Sequence, residues 1–302
     1  MQNREKAQKF QKFYYLGGNM RIPKGGVGFF DSGIGGLTVL SECQKLCKNQ
    51  VFYYYGDHTH APYGNKSRKQ IRRYTLSVMK KFRRMKVKAV VLACNTVTAV
   101  CADELRRKFP FPIIGAEPAV YPAAKTGGLV YVLATKATVQ SERFQNLCRR
   151  MALLCPQSEI KTFACEGLAG EIERKMGKGG EYTRFLPSGS PDAVVLGCTH
   201  YIYIKEEIAR FYGCQIFDGN LGIAKRLNYV LSKNQFLAQD DKKSRNLRPH
   251  LTTLKKIDEK SNKRSLKMGK KQLQKGNNQK VFFLGKSRER MHFIHEQMFV
   301  LD

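Results

Sequence analysis

The sequence predicts an α/β protein of two pseudo-symmetric domains, each with a mainly parallel sheet, and with the active site in the cleft between them. The first observation is a repeated pattern: AVVLACNT at 89–96 and AVVLGCTH at 193–200 both run from apolar residues into a cysteine. Runs of Val and Leu closed by small and polar residues are typical of buried parallel strands. Cys94 and Cys198 then fall at the carboxyl ends of their strands, where open α/β sheets bind ligands.

The spacing of the two copies is the second observation. They lie 104 residues apart, and the same offset relates Asp31, after the apolar run 27–30, to Thr135, after the run 129–134. Each half therefore opens with a strand and places its cysteine 63 residues later, from Asp31 to Cys94 and from Thr135 to Cys198. Chance similarity between two buried strands is the alternative, but an internal duplication explains both correspondences.

Length and cysteine usage agree with this organisation. A chain of 302 residues can bury a sizeable core and is long enough for two domains of ordinary size. The nine cysteines show no disulfide-framework spacing, and the first twenty residues lack the apolar core of a secretory signal. We therefore expect free thiols in a reducing cytoplasm. The sequence has no apolar stretch long enough to span a bilayer, so no membrane partner is expected.

The formal net charge of +30 has two interpretations. Basic runs at both ends of the chain would suit a nucleic-acid-binding protein. However, the charge is spread over the whole sequence, and no DNA- or RNA-binding signature accompanies it. We favour a basic surface that maintains solubility, binds polyanions weakly and steers an anionic small substrate.

The elements of the first half follow from its apolar runs. After a basic extension at 1–26, a strand at 27–30 enters the glycine-rich turn 31–36, whose backbone can approach a ligand closely before a helix begins near Leu37. The remaining elements are a strand at 51–56, an amphipathic helix at 67–86, the strand at 89–93, a helix to about Lys108 and a strand from Ile113.

Two histidine pairings raise the question of a metal. His58 and His60 form a His-x-His pair after the second strand, and Cys198 with His200 forms a Cys-x-His pair. Neither has further ligands at a recognisable spacing. We expect no metal, and we expect the 57–60 loop to be solvated or hydrogen-bonded.

The second half repeats the scheme of the first. We expect a strand at 129–134, a turn at 135–138, a helix at 141–154, a segment ending at Cys165, a helix carrying Glu171 and Glu173, the strand at 193–197, and a helix to about Leu231.

The composition changes after that helix. Residues 233–280 hold 15 Lys or Arg against 4 acidic residues, with few large apolar side chains, and we expect a mobile basic insertion there. The apolar segment from Val281 should return to the fold. We therefore assign 27–116 plus 217–302 to the first domain and 117–216 to the second.

An ordered set of motifs carries a family resemblance. The motifs are DSGIGG (31–36), APYG (61–64), ACNT (93–96), GAEP (115–118), ATKAT (134–138), ACEGLAGEIE (164–173) and GCTHY (197–201). In this order and spacing the chain resembles the glutamate racemases of the cofactor-independent aspartate/glutamate racemase superfamily, over about 27–232 and more weakly over 281–302. One such motif would be weak evidence, whereas the ordered set is highly specific.

The resemblance implies interconversion of L- and D-glutamate without pyridoxal phosphate, metal or other cofactor, and so a supply of D-glutamate for bacterial peptidoglycan. It implies that Cys94 deprotonates D-glutamate and Cys198 deprotonates L-glutamate, from opposite faces, with Asp31, His200 and Glu173 assisting. The implied substrate-binding positions are Asp31, Ser32, Tyr63, Gly64, Asn95, Thr96, Thr135, Thr138, Thr199 and His200. We also expect a homodimer.

Elementary chemistry supports these roles. Inverting a stereocentre by proton transfer requires a base on one side of the carbon and an acid on the other. An unperturbed thiol, with a pKa of about 8.5, is only a few per cent ionised at neutral pH, so each cysteine needs a helix amino terminus or a partner base. His200 is placed to assist Cys198, and Asp31 to assist Cys94. The donors that would bind the α-carboxylate as the carbanion forms are Ser32, Asn95, Thr96 and Thr199.

Three alternatives stay open at this stage. Glu166, Glu171 and Glu173 share one segment, and spacing does not decide which of them assists catalysis. A superfamily member acting on aspartate or a hydantoin is the nearest rival enzyme, although DSGIGG together with GCTHY favours glutamate. The rival of another class is a polyanion-binding protein that retains a racemase-like fold.

Overall fold

Two separate parallel sheets form the frame of the structure, which is a computed structural model describing residues 12–15, 25–175, 179–233 and 279–284. Every strand pair in both sheets is parallel. Helices cover the faces of both sheets, as the crossovers between parallel strands require. The predicted α/β fold with parallel sheets is confirmed.

The first sheet has six strands. In spatial order they are β1 (Lys12–Tyr15), β10 (Lys280–Leu284), β3 (Val51–Gly56), β2 (Val27–Asp31), β4 (Ala89–Leu92) and β5 (Ile113–Gly115). Four of these strands lie between residues 27 and 115, and the other two, β1 and β10, come from the two ends of the chain. β1 comes from the stretch that we expected to be a basic extension, and β10 is the returning segment that the apolar run after residue 280 predicts.

The second sheet has four strands. In spatial order they are β7 (Ser158–Ala164), β6 (Gly128–Ala134), β8 (Ala193–Leu196) and β9 (Gln215–Phe217). Their order repeats that of β3, β2, β4 and β5, so the first strand of each set is flanked by the second and the third. The duplicated sequence pattern therefore corresponds to a duplicated topology.

The register corrects one detail of the duplication. Phe30 of β2 pairs with Leu92 of β4, and Leu133 of β6 pairs with Leu196 of β8. The residue equivalent to Asp31 is therefore Ala134, one residue before Thr135. The offset of 104 residues relates β4 to β8, but the first strands are related by 103. Successive side chains of a strand point to opposite faces, so Asp31 and Thr135 are not counterparts.

The helices begin and end close to the expected positions. They are α1 (Gly36–Leu46), α2 (Arg68–Arg84), α3 (Asn95–Lys108), α4 (Val120–Ala124), α5 (Lys136–Val139), α6 (Glu142–Leu154), α7 (Leu168–Lys175), α8 (Lys205–Tyr212) and α9 (Asn220–Lys233). Side-chain caps explain several starts: Ser67 caps α2 in a capping box with Gln70, and Ser141 caps α6. The predicted turn at 135–138 instead opens the short helix α5, because the Thr135 side chain accepts the Thr138 N–H.

Side chains of β2 point alternately to the two faces of the first sheet, and each face has its own hydrophobic cluster. Phe29 packs with the residues of α1 and α9, and Phe30 packs with those of α2 and α3. Both rings are fully buried. The helix α9, which follows the second sheet in the chain, therefore lies on the first sheet. We call residues 25–116 with α9 and β10 the first unit, and residues 117–217 the second unit.

Some sequence-based expectations concern residues outside the described ranges. The insertion at 233–280 lies there almost entirely, as does the apolar pattern at 291–299. Within the described ranges, no helix is long and apolar enough to cross a membrane.

The buried position of Phe29 generates a stability test. Phe29→Ala should lower the free energy of unfolding by about 3–5 kcal/mol, because it removes a ring that packs edge-on against Phe52 and leaves a cavity. Leu153→Ala, at a side chain 83% exposed, should change it by less than about 0.5 kcal/mol. Urea denaturation measures both. A loss below about 1 kcal/mol for Phe29→Ala would contradict this packing.

Candidate active site

The two repeated cysteines lie at the carboxyl ends of equivalent strands. Cys94 follows β4 and takes the N-cap position of α3, and Cys198 follows β8 and takes the N-cap position of a 3₁₀ helix at Thr199–Ile204. Both are buried, at 5% and 6% exposure. A negative charge on Cys198 is among the causes that raise the pKa of Cys94, so the two sulfurs are close enough to interact electrostatically.

The glycine-rich turn after β2 joins the two units at this point. The Thr199 hydroxyl donates to Asp31 Oδ2 at 3.3 Å, and the Ile34 N–H donates to Glu173 Oε2 at 2.9 Å. The approach is so close that a Cβ on Gly35 would lie 2.8 Å from the backbone nitrogen of His200. Glycine is required here for backbone proximity.

Cys94 is surrounded by groups that favour its protonated form. Burial raises the pKa of Cys94 to about 12, and the nearby Asp31 carboxylate adds to that increase. A contact with Ser32, whose Oγ lies 3.5 Å from the sulfur, and the backbone N–H of Val97 act in the opposite direction. At neutral pH Cys94 is therefore a thiol, and its side-chain hydrogen-bond partner is Ser32 rather than Asp31.

Cys198 faces a different set of groups. Its sulfur lies 3.8 Å from His200 Nδ1, and His200 Nε2 lies 2.7 Å from Glu173 Oε2. Burial alone would lower the pKa of His200, but its hydrogen bonds to Cys198 and Glu173, and their charges, raise that pKa well above its usual value. A protonated imidazole so close to the sulfur stabilises a thiolate.

Glu173 is held ionised although it is buried. Burial would raise the pKa of its carboxyl group, but hydrogen bonds from His200 and His58, the His200 charge and the Ile34 N–H hold it well below its usual range. Glu173 and His200 thus form a buried ion pair next to Cys198.

The three neighbouring glutamates have separate partners. Glu166 pairs with Lys136 at 3.1 Å, and Glu171 pairs with Arg174 and Lys175. Of the three, Glu173 is the one that hydrogen-bonds His200. Spacing could not make this distinction, because it depends on which face of α7 meets the first unit.

The His-x-His loop contributes a residue that the sequence analysis did not assign to the site. His58 Nδ1 forms a hydrogen bond with Glu173 Oε1. His60 Nδ1 lies 2.8 Å from Asp57 Oδ1, and the Asp57 carboxylate also accepts the Tyr63 hydroxyl at 2.6 Å. Across the described ranges, no cluster of His, Cys, Asp and Glu has the arrangement of a metal site. The loop is hydrogen-bonded, as expected, but its partner is separated by more than 100 residues, and nothing in the local sequence indicates it.

Hydroxyl groups from both units meet beside the cysteines. Thr96 Oγ1 lies 2.9 Å from Thr135 Oγ1 and 3.4 Å from Thr138 Oγ1. Gly64 packs against the Thr135 side chain, and a Cβ there would lie 2.9 Å from Thr135 Cβ. Asn95 is buried beside them, and its Nδ2 donates to the carbonyl of Ala116 at 3.4 Å.

The structure thus gathers the candidate residues at one interface. They are Asp31, Ser32, Tyr63, Gly64, Cys94, Asn95, Thr96, Thr135, Thr138, Glu173, Cys198, Thr199 and His200. Chemically, the arrangement offers two buried cysteine side chains, one in contact with the Ser32 hydroxyl and the other with the His200 imidazole. Thiol and imidazole groups are among those that act as general acids and bases.

Known proteins with similar sequences and structures share a common activity. The model of the Asp/Glu/Hydantoin racemase family matches residues 35–227. A glutamate racemase of Clostridium novyi is 39% identical over 236 residues, which cover 74% of this chain and 90% of that protein.

Two solved structures with bound glutamate resemble this one. Escherichia coli glutamate racemase, in complex with L-glutamate and the activator UDP-MurNAc-Ala, has a TM-score of 0.63 and 32% identity, covering 70% of this chain and 83% of that chain. Francisella tularensis glutamate racemase, in complex with D-glutamate, has a TM-score of 0.66 and 26% identity, covering 92% and 94%.

The buried ion pair generates a pH-dependent stability test. Glu173→Gln should lower the free energy of unfolding near neutral pH by about 3 kcal/mol, because it leaves His200 buried without its counter-charge. The pKa of Glu173 is lowered in the folded protein, so its contribution is present above the ordinary value of about 4.3 and is lost as the pH falls below it. The raised pKa of His200 maintains the contribution through neutral pH.

Denaturation of both proteins between pH 3 and pH 8 measures this difference. Glu171→Gln is the matched control, since it lies on the same helix and pairs with side chains other than His200. We expect its loss to be smaller than that of Glu173→Gln, because its cationic partners Arg174 and Lys175 can turn to solvent. Equal losses for the two variants, or a Glu173→Gln loss that does not shrink in acid, would argue against the ion pair.

Proposed function

Because the chain belongs to the Asp/Glu/Hydantoin racemase family, we propose that it interconverts L- and D-glutamate by proton transfer between Cys94 and Cys198. Curated relatives that align with more than two thirds of this chain include several glutamate racemases, which favours glutamate over aspartate or a hydantoin. The observation that carries the mechanism is that the two cysteines lie at equivalent strand ends with different side-chain partners: Ser32 Oγ lies 3.5 Å from the Cys94 sulfur, and His200 Nδ1 lies 3.8 Å from the Cys198 sulfur.

The proposed reaction has two proton transfers. The Cys198 thiolate removes the α-proton of L-glutamate, so that a C–H bond breaks and an S–H bond forms. The Cys94 thiol then donates its proton to the opposite face of the same carbon, which yields D-glutamate and leaves Cys94 as the thiolate. For D-glutamate the roles are reversed.

The surrounding groups lower the cost of the carbanion. The Ser32 hydroxyl contacts the Cys94 sulfur, Thr199 directly follows Cys198, and Thr96 lies in the first turn of α3, whose backbone N–H groups directly follow Cys94. Donors of this kind stabilise a carboxylate that takes up negative charge from the α-carbon. We assign Asp31, Tyr63, Gly64, Asn95, Thr135, Thr138 and His200 to the same substrate pocket.

Substrate binding requires some of these groups to exchange partners. Thr96 and Thr135 belong to different units and hydrogen-bond each other in the structure. Glutamate has two carboxylates that need donors of the same kind, so its binding would replace this contact. The product D-glutamate would serve peptidoglycan synthesis.

The activity test uses purified protein with L-glutamate and no added cofactor. Circular dichroism of the amino acid should show racemisation, and mass spectrometry in deuterium oxide should show solvent deuterium at the α-carbon of the product. Cys94→Ser and Cys198→Ser should each lower kcat by about 10²–10⁴, since each removes one acid/base group.

A third cysteine provides the control for these variants. Cys148 lies on α6, partly exposed, and Cys148→Ser should retain activity within about twofold. Racemisation by either Cys94→Ser or Cys198→Ser at the wild-type rate would exclude the two-cysteine mechanism.

A further inference from the structure

His58 occupies an unusual place between the two units. It belongs to the first unit, in the 3₁₀ helix His58–His60, yet its Nδ1 hydrogen-bonds Oε1 of Glu173, which belongs to the second. The other oxygen of that carboxylate, Oε2, accepts from the Ile34 N–H and from His200. The carboxylate that orients His200 is therefore itself held on both oxygens by the first unit.

Resting on the function proposed above, we propose that His58 is a positioning residue for proton transfer at Cys198: by binding Oε1 of Glu173, it keeps Oε2 directed at His200 and so fixes the imidazole against the sulfur.

The geometry of the carboxylate supports this role. A glutamate side chain has several rotatable bonds, and a single hydrogen bond to Ile34 would leave its carboxylate free to turn about that contact. A second donor on the other oxygen fixes the plane of the group. His200 Nδ1 is already 3.8 Å from the Cys198 sulfur, so a small rotation of the ring would break the contact.

The charges of Glu173 and His200 also support this role. Glu173 is buried, and an ionised carboxylate in such a place needs hydrogen bonds to remain charged. The hydrogen bond from His58 is among the causes that lower the pKa of Glu173, and the Glu173 charge is in turn among those that raise the pKa of His200. Loss of His58 would therefore weaken the hold of Glu173 on His200, whose Nδ1 lies 3.8 Å from the Cys198 sulfur.

The same arrangement makes the two cysteines respond differently. Ser32 and Asp31, which act on Cys94, belong to its own unit. The groups that act on Cys198 are completed by His58 and Ile34 from the opposite unit. Removal of His58 should therefore slow the transfers at Cys198 and leave those at Cys94 unchanged.

Deuterium isotope effects separate these two steps. With α-deuterated L-glutamate, Cys198 removes the deuteron, so a slower transfer at Cys198 raises the isotope effect on kcat/KM. With α-deuterated D-glutamate, Cys94 removes the deuteron and the later step at Cys198 becomes limiting, so the isotope effect falls. The ratio of the L-glutamate isotope effect to the D-glutamate isotope effect should therefore rise. This ratio is independent of the amount of active enzyme.

Three variants complete the design. His58→Leu removes the donor and should lower kcat by about tenfold and raise the ratio. His58→Asn keeps an N–H at the position of Nδ1 and should restore both values to near wild type. His60→Asn is the matched control: it lies in the same 3₁₀ helix but pairs with Asp57, and it should leave the ratio unchanged.

The outcomes distinguish this proposal from the proposed function. If the wild-type protein does not racemise glutamate, the proposed function itself fails. If it does, and His58→Leu changes kcat without changing the ratio, or His58→Asn behaves like His58→Leu, the positioning role is overturned and the function stands. If His58→Leu raises the ratio and His58→Asn returns it to the wild-type value, the proposal is supported. Thermal unfolding of each variant checks that it is folded.

Discussion

The ionised Glu173 at the contact between the two units is the interaction on which the site depends. A buried carboxylate is tolerated only when its charge is paired and its oxygens are hydrogen-bonded. Here His200 supplies the charge, and Ile34 and His58 supply further donors. The turn that carries Ile34 can reach the carboxylate because it is rich in glycine, so the DSGIGG motif has a structural role at this contact in addition to the ligand-binding role proposed above.

The duplicated topology gives two cysteines equivalent backbone positions but unequal surroundings. Both follow a buried four-residue strand and precede a helical segment. The register shows that the strands beside them are related by a different offset, so that Asp31 has Ala134 as its counterpart. The strand-end carboxylate of Asp31 therefore acts on Cys94, whereas Cys198 has the His200–Glu173 pair beside it. In the proposed reaction one sulfur begins protonated and the other ionised, and the two roles reverse with the direction of racemisation.

The hydroxyl cluster shows how the same interface can serve both stability and binding. The cluster consists of three buried hydroxyl groups that form hydrogen bonds with one another across the interface, those of Thr96, Thr135 and Thr138. Buried polar groups need such partners. In the proposed function, substrate carboxylates would replace these contacts without leaving the hydroxyls unpaired. Such an exchange would couple binding to the relative position of the two units.

The sequence by itself determined the fold class, the repeated strands and the positions of Cys94 and Cys198, because buried parallel strands and their small-residue ends are patterns of local composition. It also placed most helices, since caps such as Ser67 and Ser141 are short-range signals. Tertiary structure alone decided that Glu173, rather than Glu166 or Glu171, meets His200, and that His58 reaches Glu173. Those contacts depend on how two units pack, and a spacing along one chain carries no information about which side chains meet across an interface.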